Sequence, residues 1–177
     1  MNILALSGSL RAASLNTALL RALARIAPPG VEVHLYDGLG ALPLFNPDDE
    51  AGDPAPVAAL RRAILAADAL VIASPEYAHG VSGVMKNALD WMVSSEAFID
   101  LPLALFNASP RASIAQAALR ETLLTMSVRL VDGACITLPL IGSGLDVDGI
   151  AAQPQMRAAL LAALGHLQAA VQTAPAQ

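Results

Sequence analysis

Five strand-like apolar runs alternate with helical patterns along this chain, and that alternation predicts an α/β fold in three layers. The expected architecture is one domain over residues 1–177, a five-stranded parallel sheet of order 2-1-3-4-5 between two layers of helices. Residues 3–6, 69–73 and 103–106 are apolar without interruption, as strands buried on both faces are. Between the runs, apolar residues recur three and four apart, so helices connect strands that run parallel. A sixth run is missing, which favours this order over a six-stranded doubly wound sheet.

The elements follow in order. After the first strand, Leu15, Leu19, Leu23 and Ile26 mark a helix that Pro28, Pro29 and Gly30 stop. Residues 31–36 alternate, with Val31, Val33 and Leu35 opposing Glu32 and His34, so this strand is half-exposed, at the sheet edge, with His34 solvated. Residues 37–53 read as a loop that Leu42, Leu44 and Phe45 tuck down. Pro54 opens a second helix with Val57, Leu60, Ile64 and Ala67 on one face. The third strand, 69–73, leads to a loop, SPEYAHGVSG, and a helix carrying VMKNALDWMV. The fourth strand is followed by loop 107–111 and a helix with Ala115, Leu119, Leu123 and Met126 on its face. Residues 131–138 supply the fifth strand, and a glycine-containing loop leads to a last helix from about Pro154.

Composition narrows the function. The net charge is −5, with no basic run and no aromatic–basic interleaving, which argues against nucleic acid as a partner. A strand from Asn2 leaves no room for a signal peptide, so a cytoplasmic location is expected. In the charge-free tail, Met156, Leu160, Leu164, Leu167 and Val171 form one packed helix face, and His166, Gln168, Gln172 and Pro175 interrupt it, so no membrane span is read there. Cys135 stands alone and the three histidines are far apart, which leaves neither disulfide nor metal site. Residues are 55% hydrophobic and only 14% charged, so a homodimer or homotetramer is expected. Met85, Leu89, Trp91 and Met92 of the third helix are the candidate interface.

In a parallel sheet of this order, ligands sit beyond the carboxyl ends of the strands, where strands one and three diverge. That rule selects loops 7–14, 74–83 and 107–111, the three with unusual chemistry. The first offers Ser7, Gly8, Ser9, Arg11 and Ser14, then Asn16 and Thr17 in the opening turn of the helix. A helix start favours an anion. One glycine is too few for a dinucleotide fingerprint, and the P-loop lysine is missing. Hydroxyls, an amide and a guanidinium suit a single monophosphate.

Gly8-Ser9-Leu10-Arg11 with Ser14 and Asn16 resembles the phosphate motif of the NADPH-dependent FMN reductases, which share the flavodoxin-like fold. Pro75-Glu76-Tyr77, Gly83 and Lys86-Asn87-Ala88-Leu89-Asp90-Trp91 resemble that family's second signature, and Ala108-Ser109-Pro110 with Gln116 and Arg120 is a weaker third match. The resemblance implies non-covalent FMN, with NADPH or NADH as co-substrate. Its phosphate would lie on Ser9, Arg11, Ser14, Asn16 and Thr17, with Ser7 at the head of the cradle. Pro75, Glu76, Tyr77, Ala78, His79 and Gly80 would border the ring system, with Ser109 approaching from the third loop. It implies electron transfer to a small acceptor: a quinone, azo compound, flavin or metal oxyanion.

Three departures stand out: Ala78 where the family often has Asn, Ser82 where it often has Pro, and Arg111, Ala112 and Ser113 where glycines often follow Ser-Pro. The flavin carries the chemistry, so no catalytic residue is assigned. Glu76 either touches substrate or holds the loop through backbone N–H groups, and His79 reads equally as an acid or a solvated histidine. Lys86 and Asp90 are placed to pair with each other, Asn87 to brace the loop, and Trp91 to sit in the core or an interface. An electron carrier of the flavodoxin kind and an FMN-free binding module are the rival readings.

Overall fold

In the computed structural model, which describes residues 1–173, β1 (Asn2–Ser7) lies between β2 (Glu32–Tyr36) and β3 (Ala69–Ala73) and pairs in parallel with both. Pro175 and the end of the expected 1–177 domain lie outside the described residues. Two short strands, β4 (Glu76–Tyr77) and β5 (Gly80–Val81), form an antiparallel hairpin apart from the main sheet. β6 (Pro102–Asn107) pairs in parallel with β3, and β7 (Arg129–Leu130) and β8 (Ile136–Thr137) both pair in parallel with β6. The sheet order β2-β1-β3-β6-β7 is the flavodoxin-like order expected.

Period-two alternation along the strands divides the core into two. Ile3, Ala5, Val71, Ala73, Ala104 and Phe106 face α1 (Leu15–Ile26), with α5 (Val147–Ala152) and α6 (Pro154–Gln172) on the same side. Leu4, Leu6, Leu70, Ile72, Leu103 and Leu105 face α2 (Ala55–Leu65), α3 (Gly83–Met92) and α4 (Ser113–Thr125). A core buried on both faces of a parallel sheet explains why the three central strands are apolar throughout.

Five expectations need correction. The fifth strand is not continuous over 131–138: it is two pieces flanking a 3-10 turn, Asp132–Ala134. Asp132 leaves the sheet to pair with Arg120 at 2.7 Å, and Gly133 lies so close to α6 that a Cβ there would stand 3.0 Å from His166 Nδ1. Loop 74–83 contains the β4–β5 hairpin, and the loop before α6 contains α5. Leu44 does not tuck loop 37–53 down; it is 85% exposed, while Leu42 is buried. Finally, Met85, Leu89, Trp91 and Met92 are at most 2% exposed within one chain, so these side chains form its own core rather than a subunit interface.

Candidate functional site

At the end of β1, the Ser7 hydroxyl lies 2.7 Å from Thr17 Oγ1 and accepts the Ser9 N–H at 3.4 Å. Ser9 Oγ accepts the Arg11 N–H at 3.3 Å, and Ser14 Oγ caps α1 by accepting the Thr17 N–H at 3.2 Å. Backbone donors thus occupy the acceptor sides of Ser9 and Ser14, leaving both O–H groups free to donate. The N–H groups of Leu15 and Asn16 open the helix without intrahelical partners. Asn16 is buried, and its amide oxygen has no protein partner. Together the two hydroxyls and the open N–H groups make a cradle of donors.

Gly8 joins this loop to the second one. Its N–H donates to the Ala73 carbonyl at 2.8 Å, and its own carbonyl accepts the Ser82 hydroxyl at 2.6 Å. A Cβ on Gly8 would lie 2.4 Å from Ser74 Oγ, so only glycine admits this approach. Ser82 is 2% exposed. It also caps α3 by accepting the Met85 N–H at 3.3 Å, and lies 3.2 Å from Ser74 Oγ. The serine at a position where the family often has proline is therefore a three-way junction.

In the β4–β5 hairpin, Tyr77 pairs with Gly80, leaving Ala78 and His79 as a two-residue turn with φ of 50° and 59°. Two consecutive left-handed residues are the mark of a type I′ turn, which Asn-Gly fills best. Ala and His there hold strain of order 1 kcal/mol each. Glu76 holds the hairpin against the rest of the chain. One carboxylate oxygen accepts the Ala115 N–H at 2.9 Å, in the first turn of α4, which has no capping side chain of its own. The other lies 3.0 Å from His79 Nδ1. The Ala115 N–H first, and His79 second, hold the Glu76 carboxyl below the usual glutamate range. Glu76 thus holds the loop through a backbone N–H, and it also stands in the cavity wall.

The three loops enclose a cavity of about 430 Å³, a size typical of small-molecule sites. Ser9, Arg11, Ser14 and Asn16 line it from the first loop. Pro75, Glu76, Tyr77, Ala78 and His79 line it from the second, and Ser109 from the third. Ser7, Thr17 and Gly80 are not in the wall; the first two support it from behind through their mutual hydrogen bond. Sequence reasoning did not assign Ser74, Asn107, Arg111 or Ile141, which also line it. Arg111, noted only as a departure, adds a second guanidinium. Ile141, from the loop after β8, carried no sequence signal.

The helix motif after the hairpin serves another segment. Asn87 accepts the Phe45 N–H at 2.8 Å and donates to the Pro43 carbonyl at 2.9 Å, and the Trp91 indole donates to the same carbonyl at 2.8 Å. Phe45 packs edge-on against Trp91, with ring centroids 5.1 Å apart. Lys86 and Asp90 pair with each other. A second cleft beside the split fifth strand is lined by Gln116, Arg120 and Cys135, whose thiol burial pushes above its ordinary range. Among the described residues, no group of three His, Cys, Asp or Glu could hold a metal ion, and no helix is long and apolar enough to cross a membrane.

Comparison with known proteins places the chain in a family. The chain is 36% identical over 155 residues to an NAD(P)H-dependent FMN reductase of Pseudomonas aeruginosa, covering 84% of this chain and 83% of the relative. It is 42% identical over 94 residues to a quinone reductase of Escherichia coli, a match spanning 52% of this chain and only about half (50%) of that protein. Among solved structures, FerB, a flavoenzyme NAD(P)H:(acceptor) oxidoreductase from Paracoccus denitrificans, superposes with a TM-score of 0.76 at 28% identity, covering 97% of this chain and 95% of that one. The family model of the NADPH-dependent FMN reductases matches residues 1–140, and the chain belongs to that family.

Proposed function

We propose that this chain takes electrons from NADPH or NADH through bound FMN and passes them to a small acceptor, a quinone first of all. The observation that carries this reading is one cavity walled by a monophosphate-type donor set from the first loop and by the hairpin from the second. The residues fit FMN: the free hydroxyls of Ser9 and Ser14, with Asn16 beside them in the wall, are groups that a phosphate would satisfy. Arg11 adds a charge-assisted donor. Pro75, Tyr77, Ala78 and His79 border the ring system, with Ser109 on the third loop. Bound FMN supplies hydride acceptance and release; the chain's part is to hold and orient it. Among the described residues Tyr77 is the one Phe, Tyr or Trp in the wall and is 57% exposed, so room remains for a nicotinamide and, after it leaves, a planar acceptor.

The reading extends to a single FMN-binding domain over residues 1–177, acting in the cytoplasm as a homodimer or homotetramer. The low share of charged residues, 14%, and exposed apolar side chains such as Leu10 and Leu44 support association. Sedimentation at micromolar concentration tests it; a species of 18.1 kDa alone would refute it. For the activity, anaerobic NADPH or NADH should bleach the protein-bound flavin within minutes. Failure of both donors would transfer the protein to the flavodoxin-type electron carriers. Shared use of one cavity further predicts ping-pong kinetics, with parallel double-reciprocal lines for NADPH and a quinone.

A further inference from the structure

We propose that His79 is the acid that protonates the acceptor, an inference that rests on the electron-transfer reading above. The Glu76 carboxylate can only accept a hydrogen bond, so the 3.0 Å contact fixes the proton of neutral His79 on Nδ1. Glu76 is itself fixed by the Ala115 N–H. This is a carboxylate–imidazole pair in which the outer nitrogen, Nε2, is left to exchange protons. The imidazole lines the cavity, yet its side chain is 77% exposed, so it can be recharged from solvent. The other charged or titratable groups in that wall are Glu76, Tyr77, Arg11 and Arg111. α4 meets the hairpin through its Ala115 N–H, and its own charges, Arg120 and Glu121, lie further along, Arg120 paired with Asp132. The strained φ of His79 gives a reason for the side chain's placement: a relaxed Asn-Gly turn would leave the cavity without an imidazole.

The step balances. A quinone takes a hydride equivalent, two electrons and one proton, that originates in NAD(P)H, and one of its oxygens takes a second proton from the Nε2–H of imidazolium. Hydroquinone and neutral imidazole result, and water returns the proton to His79. Ferricyanide takes electrons and no proton, so it bypasses the step.

The test compares FMN-loaded wild type with His79→Asn, a residue that tolerates the left-handed turn. The ratio of kcat/KM for benzoquinone to that for ferricyanide, per bound FMN, should fall about 100-fold in the variant, the lower range of general acid catalysis. In the wild type, benzoquinone kcat/KM should show a limb that falls with rising pH, and the variant should lose that limb. Added imidazole should restore part of the benzoquinone turnover. Separately, ¹⁵N NMR of histidine-labelled, FMN-loaded protein should show neutral His79 protonated on Nδ1. An unchanged ratio, or a mixture of tautomers, would overturn the proposal. If the wild type shows no flavin reduction by either nicotinamide, the electron-transfer reading itself fails.

Discussion

Ser82→Ala tests whether one hydroxyl joins the first and second loops. The substitution removes the acceptor that caps α3 through the Met85 N–H, a loss of about 1 kcal/mol. It also strips the buried Gly8 carbonyl of its donor at 2.6 Å, and an orphaned acceptor of this kind costs about 1–3 kcal/mol. Ser74 loses little, because its hydroxyl has the Pro75 carbonyl as a second acceptor at 3.4 Å. The losses share one oxygen and do not add fully, so about 2–3 kcal/mol is expected in total. Urea denaturation of the FMN-free protein should show a lower midpoint with unchanged m, and the melting temperature should fall by about 4–12 °C. Ser82→Pro should recover only part of the loss: its backbone φ of −56° suits proline, but the hydroxyl is still gone. A loss under about 0.5 kcal/mol for Ser82→Ala, or a changed m, would refute the junction.

Arg11→Ala should weaken FMN binding by about 1.5–3 kcal/mol while leaving riboflavin affinity nearly untouched; isothermal titration with both ligands checks this. Gly8→Ala should destabilise by about 1–3 kcal/mol through its clash with Ser74, and Ser74→Gly should recover part of that in a double mutant followed by thermal denaturation. Because the Glu76 carboxyl is held below its ordinary range in the folded chain, its contribution is complete above the unfolded value and drains away as pH falls through the folded one. Hydrogen exchange at the Ala115 amide should therefore accelerate at acid pH relative to neighbouring helical amides after correction for intrinsic rates, and Glu76→Gln should flatten that trend. Asn87→Ala should leave Pro43 and Phe45 held by Trp91 alone, raising proteolysis within loop 37–53 before the sheet unfolds.

The sheet order and the three site loops were legible in the sequence because they rest on signals that local chemistry enforces. Apolar runs such as 69–73 have no alternative to burial, and the serine-rich turn after β1 opens a helix that needs a cap. The fifth strand was misread because Val131, Ala134, Cys135 and Ile136 are apolar, and nothing local shows that Asp132 is drawn out by Arg120 from α4. That pairing is a tertiary fact. The β4–β5 hairpin escaped for the opposite reason: two-residue strands with Ala and His in the turn carry almost no periodic or turn signal. Reading Trp91 as interface or core could not be decided from hydrophobicity alone, since both environments select the same residue. Its Pro43 partner lies 48 residues away.

That last contact makes the chain its own fluorophore-labelled sensor. Trp91 is the sole tryptophan, 1% exposed, with its indole N–H on the Pro43 carbonyl and the Phe45 ring at its edge. Its emission should be blue-shifted while loop 37–53 is docked, and should move to the red when that loop alone lifts. The yellow flavin absorbs where tryptophan emits, so quenching by energy transfer would report cofactor loading from the same indole. One side chain thus offers two optical channels, wavelength for the loop and intensity for the flavin, without any label.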